Sequence, residues 1–429
     1  MLYPSLLRCT LLGTSLSLLT ACADNHAASQ VDTPTPVVQS ATISLPTAVS
    51  PVSTATFEQP TQSFASWQAA FRQEALSAGI QAAVFDAAFA GVNPDPAIIR
   101  ADRSQPEFTR PVWEYLDSAI SATRVRRGQA LLAEHASTLQ AIEQRYGVDR
   151  HALVAIWGME SNFGQYMGDK SVIAALATLA YEGRRPAFAH EQLLAALRIL
   201  QHGDVQPSRI RGSWAGAMGQ TQFIPSTYNQ FAVDFDGDGR RDIWDSSADA
   251  LASAAHYLQK SGWQSGQPWG VEVTLPSGFD YALADAEIRK PISEWRQLGV
   301  NNIPAADDQA RAVLLLPAGY RGPAFLVLDN FRAILKYNNS TAYGLAIGLL
   351  SGALDSQPGV QAAWPRSDRQ LGRSERIELQ ELLASKGYAP GAADGITGAN
   401  TRKAVRAFQQ SLGQPADGYP SHELLQQLR

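Results

Sequence analysis

A carboxyl group set among apolar residues can hold a proton near neutral pH and hand it to a leaving oxygen. Glu160 is the side chain in this sequence placed to do that. It lies in Leu153-Val154-Ala155-Ile156-Trp157-Gly158-Met159-Glu160-Ser161-Asn162-Phe163-Gly164. Leu153, Ile156, Trp157 and Glu160 fall at i, i+3, i+4 and i+7, one face of a helix. Burial on that face strips water from the anion and raises its pKa, the pattern of a general acid in glycoside cleavage. The same residues also fit a buried structural Glu paired with a basic partner, and local sequence leaves both readings open.

A second group of carboxylates points to a cation. In Asp234-Phe235-Asp236-Gly237-Asp238-Gly239-Arg240-Arg241-Asp242-Ile243-Trp244-Asp245, acids occupy loop positions 1, 3, 5, 9 and 12. Gly237 stands at position 6, where an EF-hand loop turns sharply, and Arg240 at position 7 would offer its backbone carbonyl. The expected ligands are Asp234, Asp236, Asp238, Arg240, Asp242 and Asp245, with Ca2+ in a structural role. Asp in place of Glu at position 12 predicts weaker binding. An Asp/Gly turn with no ion is the alternative.

Two more segments suit sugars. Gly212-Ser213-Trp214-Ala215-Gly216-Ala217-Met218-Gly219-Gln220-Thr221-Gln222 carries glycines at i, i+4 and i+7, which permit close backbone approach. It is either a turn lining a groove or tight packing through small residues. It is not GxGxxG, and no strand precedes it. Tyr337-Asn338-Asn339-Ser340 with Tyr343 puts aromatic and amide groups inside an apolar stretch, for sugar contact or for holding loop backbone. HExxH and GxSxG are missing from the sequence, and Asp169 spoils the P-loop spacing of 164–171.

The elements that must position these groups are mostly helices. Asp149 is the expected N-cap of the Glu160 helix and Gly164 its stop. Helical patterns cover 64–89, a helix with Pro111 near its start, Val125 to Tyr146, Lys170 to Tyr181, Pro186 to His202, Pro225 to Phe231 and Ser247 to Lys260. Strand-like runs at 271–275, 312–316 and 324–328 predict a small antiparallel subdomain. Helix returns from Asn330 to about Leu354. After a linker at 356–367, helices at 374–386, 400–412 and 420–428 form a compact unit, either an independent module or a cap on what precedes it.

The N-terminus has its own logic. Arg8 and the apolar run Leu11 to Leu19 form a secretory signal too short to span a bilayer. Leu19-Thr20-Ala21-Cys22 resembles a bacterial lipobox, so Cys22 is the expected lipidation site; an ordinary cleaved signal is the alternative. Residues 23–63, rich in Thr, Ser, Pro and Ala, predict a disordered tether. Cys9 and Cys22 are the only cysteines, which excludes a disulfide framework or a cysteine nucleophile in the mature chain. A net charge of −5 argues against nucleic acid as the partner.

With these pieces in order, the chain resembles the membrane-bound lytic transglycosylase B family of bacterial cell-wall enzymes over residues 64–355. The resemblance rests on Gly158 to Gly164, Gly212 to Gly219 with Gln222 to Ser226, the EF-hand-like loop, and Tyr337 to Ser340 with Tyr343. Residues 368–429 resemble a type 1 peptidoglycan-binding domain through Asp394-Gly395-Ile396-Thr397-Gly398, Thr401 and Ala407-Phe408-Gln409.

The resemblance implies a mainly α, lysozyme-like catalytic domain with a small β subdomain and a three-helix C-terminal module. It implies glycan strands of peptidoglycan as substrate; the lipobox, with Ala23 after Cys22 compatible with outer-membrane sorting, predicts a periplasmic enzyme lipid-anchored to the outer membrane. Glu160 matches the family's catalytic acid; Ser213, Gln222, Tyr337, Asn338 and Tyr343 match positions that contact glycan or position the acid. Gln220 departs from the aromatic usual two residues before Gln222. One strong carboxylate rather than two fits non-hydrolytic cleavage, in which the muramoyl C6 hydroxyl attacks C1. The rivals are a hydrolytic muramidase using Asp169 or Glu182 as a second acid, and an inactive wall-binding scaffold.

Overall fold

The computed structural model describes residues 62–103 and 110–429. The expected signal, Cys22 and nearly all of the tether lie outside the described residues. Among the described residues no helix is long and apolar enough to cross a membrane.

The helix Arg150–Ser161 is the centre of the largest core. Val154 and Ala155 are as fully buried as Leu153 and Ile156, so the helix is surrounded rather than one-faced. Ala122–Glu134, Ala136–Tyr146, Ser247–Lys260 and Thr341–Leu354 pack around it. A second core joins Phe64–Ser77, Ala82–Ala88, Val172–Glu182, Pro186–His202 and Pro225–Phe231 through Phe71, Phe85, Leu197 and Tyr228.

Six short strands among the described residues complete the framework: β1 (Lys170–Ser171), β2 (Arg211–Gly212), β3 (Gly270–Val273), β4 (Lys290–Pro291), β5 (Arg311–Leu315) and β6 (Ala324–Val327). β1 and β2 pair antiparallel, Ser171 opposite Arg211. The other four form one antiparallel sheet in the order β3-β6-β5-β4, with Val271 opposite Leu326 and Leu314 opposite Leu326 on its other side. Trp295, on the short helix Ile292–Gln297, fills the core under this sheet.

Two helices expected as continuous are broken. The 125–146 pattern divides at His135, which ends one helix and starts the next; neither Pro nor Gly marks that bend. The 330–354 pattern divides into Asp329–Tyr337 and Thr341–Leu354. Asn338 is extended at φ −146°, and the Ser340 side chain accepts from the Tyr343 amide as a new N-cap. Hydrophobic periodicity runs through such a break unchanged; the competing preference of Asn and Ser for caps decides it.

The C-terminal helices Arg373–Ser385, Ala399–Ser411 and His422–Leu428 share a core of their own around Leu383, Val405 and Leu425. They also dock on the β subdomain. Arg406 and Asp285 form an ion pair with both side chains mostly buried, Lys403 reaches Glu287 at 2.7 Å, and the Tyr320 amide donates to Asp417 at 2.8 Å. The preceding segment is pinned: Glu272 accepts from the amides of Gln361 and Ala362, and Arg366 makes a bidentate pair with Asp117.

Candidate active site

Asp149 caps the central helix as expected, accepting from the amides of His151 and Ala152 at 2.8 and 3.0 Å. The far end stops more abruptly than a single glycine would require. Asn162, Phe163 and Gly164 have φ of 50°, 60° and 79°, three left-handed residues in a row. For the first two this costs on the order of 1 kcal/mol each. The reversal drives the Phe163 ring back under the helix, edge-on to Trp157 and against Gly158, where an added Cβ would lie 2.7 Å from it.

Glu160, one turn before that reversal, is 9% exposed. The buried carboxyls elsewhere are compensated: Asp102 and Asp204 sit on Arg184 and Arg241, and Asp249 and Asp417 accept backbone amides. Glu160 has no basic partner among the described residues. Its Oε1 accepts the Tyr343 hydroxyl at 2.5 Å. Burial pushes its pKa up to about 7, and the Tyr343 hydrogen bond restrains the rise. The structural reading, a buried Glu held by a cation, has no support in this geometry.

The Gly-rich segment is a compact loop, not a helix. Ser213 Oγ accepts from the Ala215 and Ala217 amides at 3.3 and 3.1 Å. Gln222, at φ 51°, donates through Nε2 to the carbonyls of Met167 and Gly219. The loop is tied to the central helix by Ser161, whose hydroxyl donates to the Gln220 carbonyl at 2.6 Å and accepts the Gly164 amide at 2.8 Å. Gln220 is buried and donates to the Trp244 carbonyl. It holds the loop floor at the position where Gln220 departs from the aromatic usual in the resembling family.

The helix break at 338–340 brings the third segment in. Tyr337 donates to the Thr221 carbonyl at 2.7 Å, Asn338 is buried in the break, and Tyr343 reaches Glu160. Burial and the Glu160 charge push both phenols well above their usual pKa. Tyr343 thus touches Glu160, Tyr337 stands close enough to feel its charge, and the loop that carries Ser213 and Gln222 is tied to the Glu160 helix and to Tyr337 through the Gln220 and Thr221 carbonyls. Sequence reasoning missed Ser161, whose signal lay only in its position beside Glu160. It also missed Tyr115, a half-buried phenol raised to about 12 by burial and by the Glu160 charge. Nothing local announced Tyr115, which arrives from the helix Val112–Ala119. The rival second acid Asp169 is exposed.

In the acidic loop the side chains that converge are Asp234, Asp236 and Asp249, with carboxylate oxygens within 4.8 Å of one another. Three expected carboxylates, Asp238, Asp242 and Asp245, do not join them. Asp238 is paired with Arg240, whose side chain folds back on it. Asp242 caps the turn, accepting from the Trp244 and Asp245 amides. Asp245 pairs with Arg209, outside the loop. Asp249 was not foreseen because it lies beyond the twelve-residue spacing, on the helix Ser247–Lys260. Three carboxyls in that space fit a divalent cation by charge and donor type.

Comparison with known proteins gives this geometry its lineage. The transglycosylase SLT domain family matches residues 63–352, and a peptidoglycan binding domain family matches residues 372–428. Membrane-bound lytic murein transglycosylase B of Escherichia coli is 33% identical over 257 residues, 58% of this chain and 69% of the relative. The crystal structure of SltB3 from Pseudomonas aeruginosa in complex with NAG-anhNAM-pentapeptide is 64% identical, with a TM-score of 0.84 over 86% of this chain and 100% of that one. The Escherichia coli lytic transglycosylase Slt35 in complex with calcium is 29% identical, with a TM-score of 0.58 over 67% of this chain and 92% of that one. The chain belongs to the SLT transglycosylase family and is a lytic transglycosylase of peptidoglycan with a C-terminal peptidoglycan-binding domain.

Proposed function

We propose that Glu160 alone carries both proton transfers of the cleavage. Protonated, it donates to the glycosidic oxygen between N-acetylmuramic acid and N-acetylglucosamine as the C1–O bond breaks. As carboxylate, it then takes the proton of the muramoyl C6 hydroxyl while that oxygen bonds to C1, leaving a 1,6-anhydro end and regenerating the acid. No water enters, and the intramolecular nucleophile has a high effective concentration. The observation that carries this is a buried carboxyl with no cation beside it among the described residues, bonded to a phenol and raised to about 7. Tyr343 orients the acid; Ser213, Gln222, Tyr337 and Asn338 contact the glycan. SltB3 in complex with NAG-anhNAM-pentapeptide supports this product class. Mass spectrometry of digested glycan tests it: anhydro ends lost in Glu160→Gln are expected, and products carrying an added water would overturn it.

The finer readings belong with this one. Asp234, Asp236 and Asp249 hold a calcium ion that secures the loop, a reading supported by the calcium complex of Slt35. Cys22 carries a lipid anchor that keeps the enzyme in the periplasm, at the outer membrane. Labelled fatty acid incorporated by wild type and not by Cys22→Ala is the expected result; equal labelling would refute it.

A further inference from the structure

The helices that carry Glu160 and Tyr343 pack against each other in opposite directions. Glu160, near the end of Arg150–Ser161, meets Tyr343, near the start of Thr341–Leu354. At the other end of the pair, His151 reaches Asp355, the C-cap of the Tyr343 helix. Between the two ends, Leu153, Trp157, Ile347 and Leu350 belong to one apolar core. Apolar burial is non-directional, so it fixes the offset of one helix along the other less sharply than a polar tie at each end.

The His151 ring stands between two carboxylates. Its Nδ1 is 3.4 Å from Asp149, the N-cap of its own helix, and its Nε2 is 3.8 Å from Asp355. Asp355 places an anion at a helix C-terminus, where the dipole disfavours it, and a cation beside it relieves that. Gln357 donates to the second Asp355 oxygen at 3.1 Å. The remaining charge close to the ring is Arg150, whose guanidinium is turned to Glu143. The Asp149 contact, joined by the Asp355 charge, outweighs burial and Arg150 and raises the His151 pKa.

We infer that His151 is a positioning residue: as imidazolium it ties the cap of the Glu160 helix to the cap of the Tyr343 helix, and so keeps the Tyr343 hydroxyl on Glu160 at the far end of the pair. The inference deepens the proposed function and rests on it, because the bond being held is the one that orients the acid. The tie is complete while His151 is protonated, below its ordinary value of 6.5, and fades as pH rises through the raised folded value. Its action on the acid is indirect. Glu160 lies about 14 Å further along the helix axis, and its own shift comes from burial and Tyr343.

The test is the pH profile of kcat on purified glycan. In His151→Gln the alkaline limb should move upward by about half a pH unit, the order set by one partly exposed ion pair, with KM unchanged. His151→Lys, which keeps a cation there, should restore the wild-type limb. In a Tyr343→Phe background, His151→Gln should add no further shift, because the bond it positions is gone. A His151→Gln limb that superposes on wild type overturns the inference, even if the melting temperature falls. So does the same shift appearing with Tyr343→Phe already present. Asp355→Asn cuts the tie from the other helix and should move the limb alike; an unmoved limb there overturns the inference even if His151→Gln fails to fold. Wild type with no alkaline limb would instead remove the reading of Glu160, and this inference with it.

Discussion

Glu160→Gln should make the protein more stable, and only above a definite pH. In the fold the carboxyl titrates near 7 instead of its ordinary 4.5. Such a raised acid contributes stability fully below the unfolded value, and loses it as pH rises through the folded value. At about 1.4 kcal/mol per unit, wild type should lose about 3 kcal/mol from this group between about pH 4 and pH 8. Glutamine keeps the shape and can still accept from Tyr343, but it has no proton to lose. The variant's advantage over wild type should therefore grow by about 3 kcal/mol across that range, read from urea melts at fixed intervals of pH. The same ionisation should drop turnover about tenfold per unit above pH 7, because the acid must start protonated. A flat stability difference from pH 4 to 8 would refute the burial argument, whatever the activity of the variant.

Removing the Tyr343 hydroxyl should move the alkaline limb of the pH–rate profile upward, since that bond holds the Glu160 pKa down; a shift toward acid would refute the assignment. Gly158→Ala should cost about 1–3 kcal/mol in a thermal or urea melt, because the new methyl meets a Phe163 ring that its left-handed backbone keeps in place. A chelator should lower the melting temperature while turnover per folded molecule holds. Asp249, which accepts the amides of Phe235, Asp236 and Asp242, keeps the loop framed without the ion. Deleting 368–429 should weaken binding to sacculi and spare cleavage of short soluble glycans; loss of both would make the docked module part of the catalytic fold.

Much of the fold was legible because helices announce themselves locally. Ser247–Lys260, Pro186–His202 and Pro225–Phe231 begin where a capping Ser or an N-terminal Pro places them, and Pro186–His202 ends at Gly203. β4 escaped notice because two residues, one of them a proline, carry no periodicity, and it exists through pairing with β5. The docking of the C-terminal module was likewise hidden: Arg406 and Asp285 lie 121 residues apart, and each alone looks like an ordinary surface charge.

The site divides the same way. Sequence by itself determined the helix that carries Glu160, its cap, its apolar neighbours, and the segments around Ser213, Gln222 and Tyr337, since these follow from residue types at short separations. Only the tertiary structure decided that Glu160 has no cation beside it among the described residues, that Tyr343 is its partner from 183 positions away, and that Asp249 rather than Asp245 closes the acidic cluster. A carboxyl's proton affinity depends on everything within a few ångströms of it. What stands there is set by how distant helices pack, which no local pattern of residues encodes.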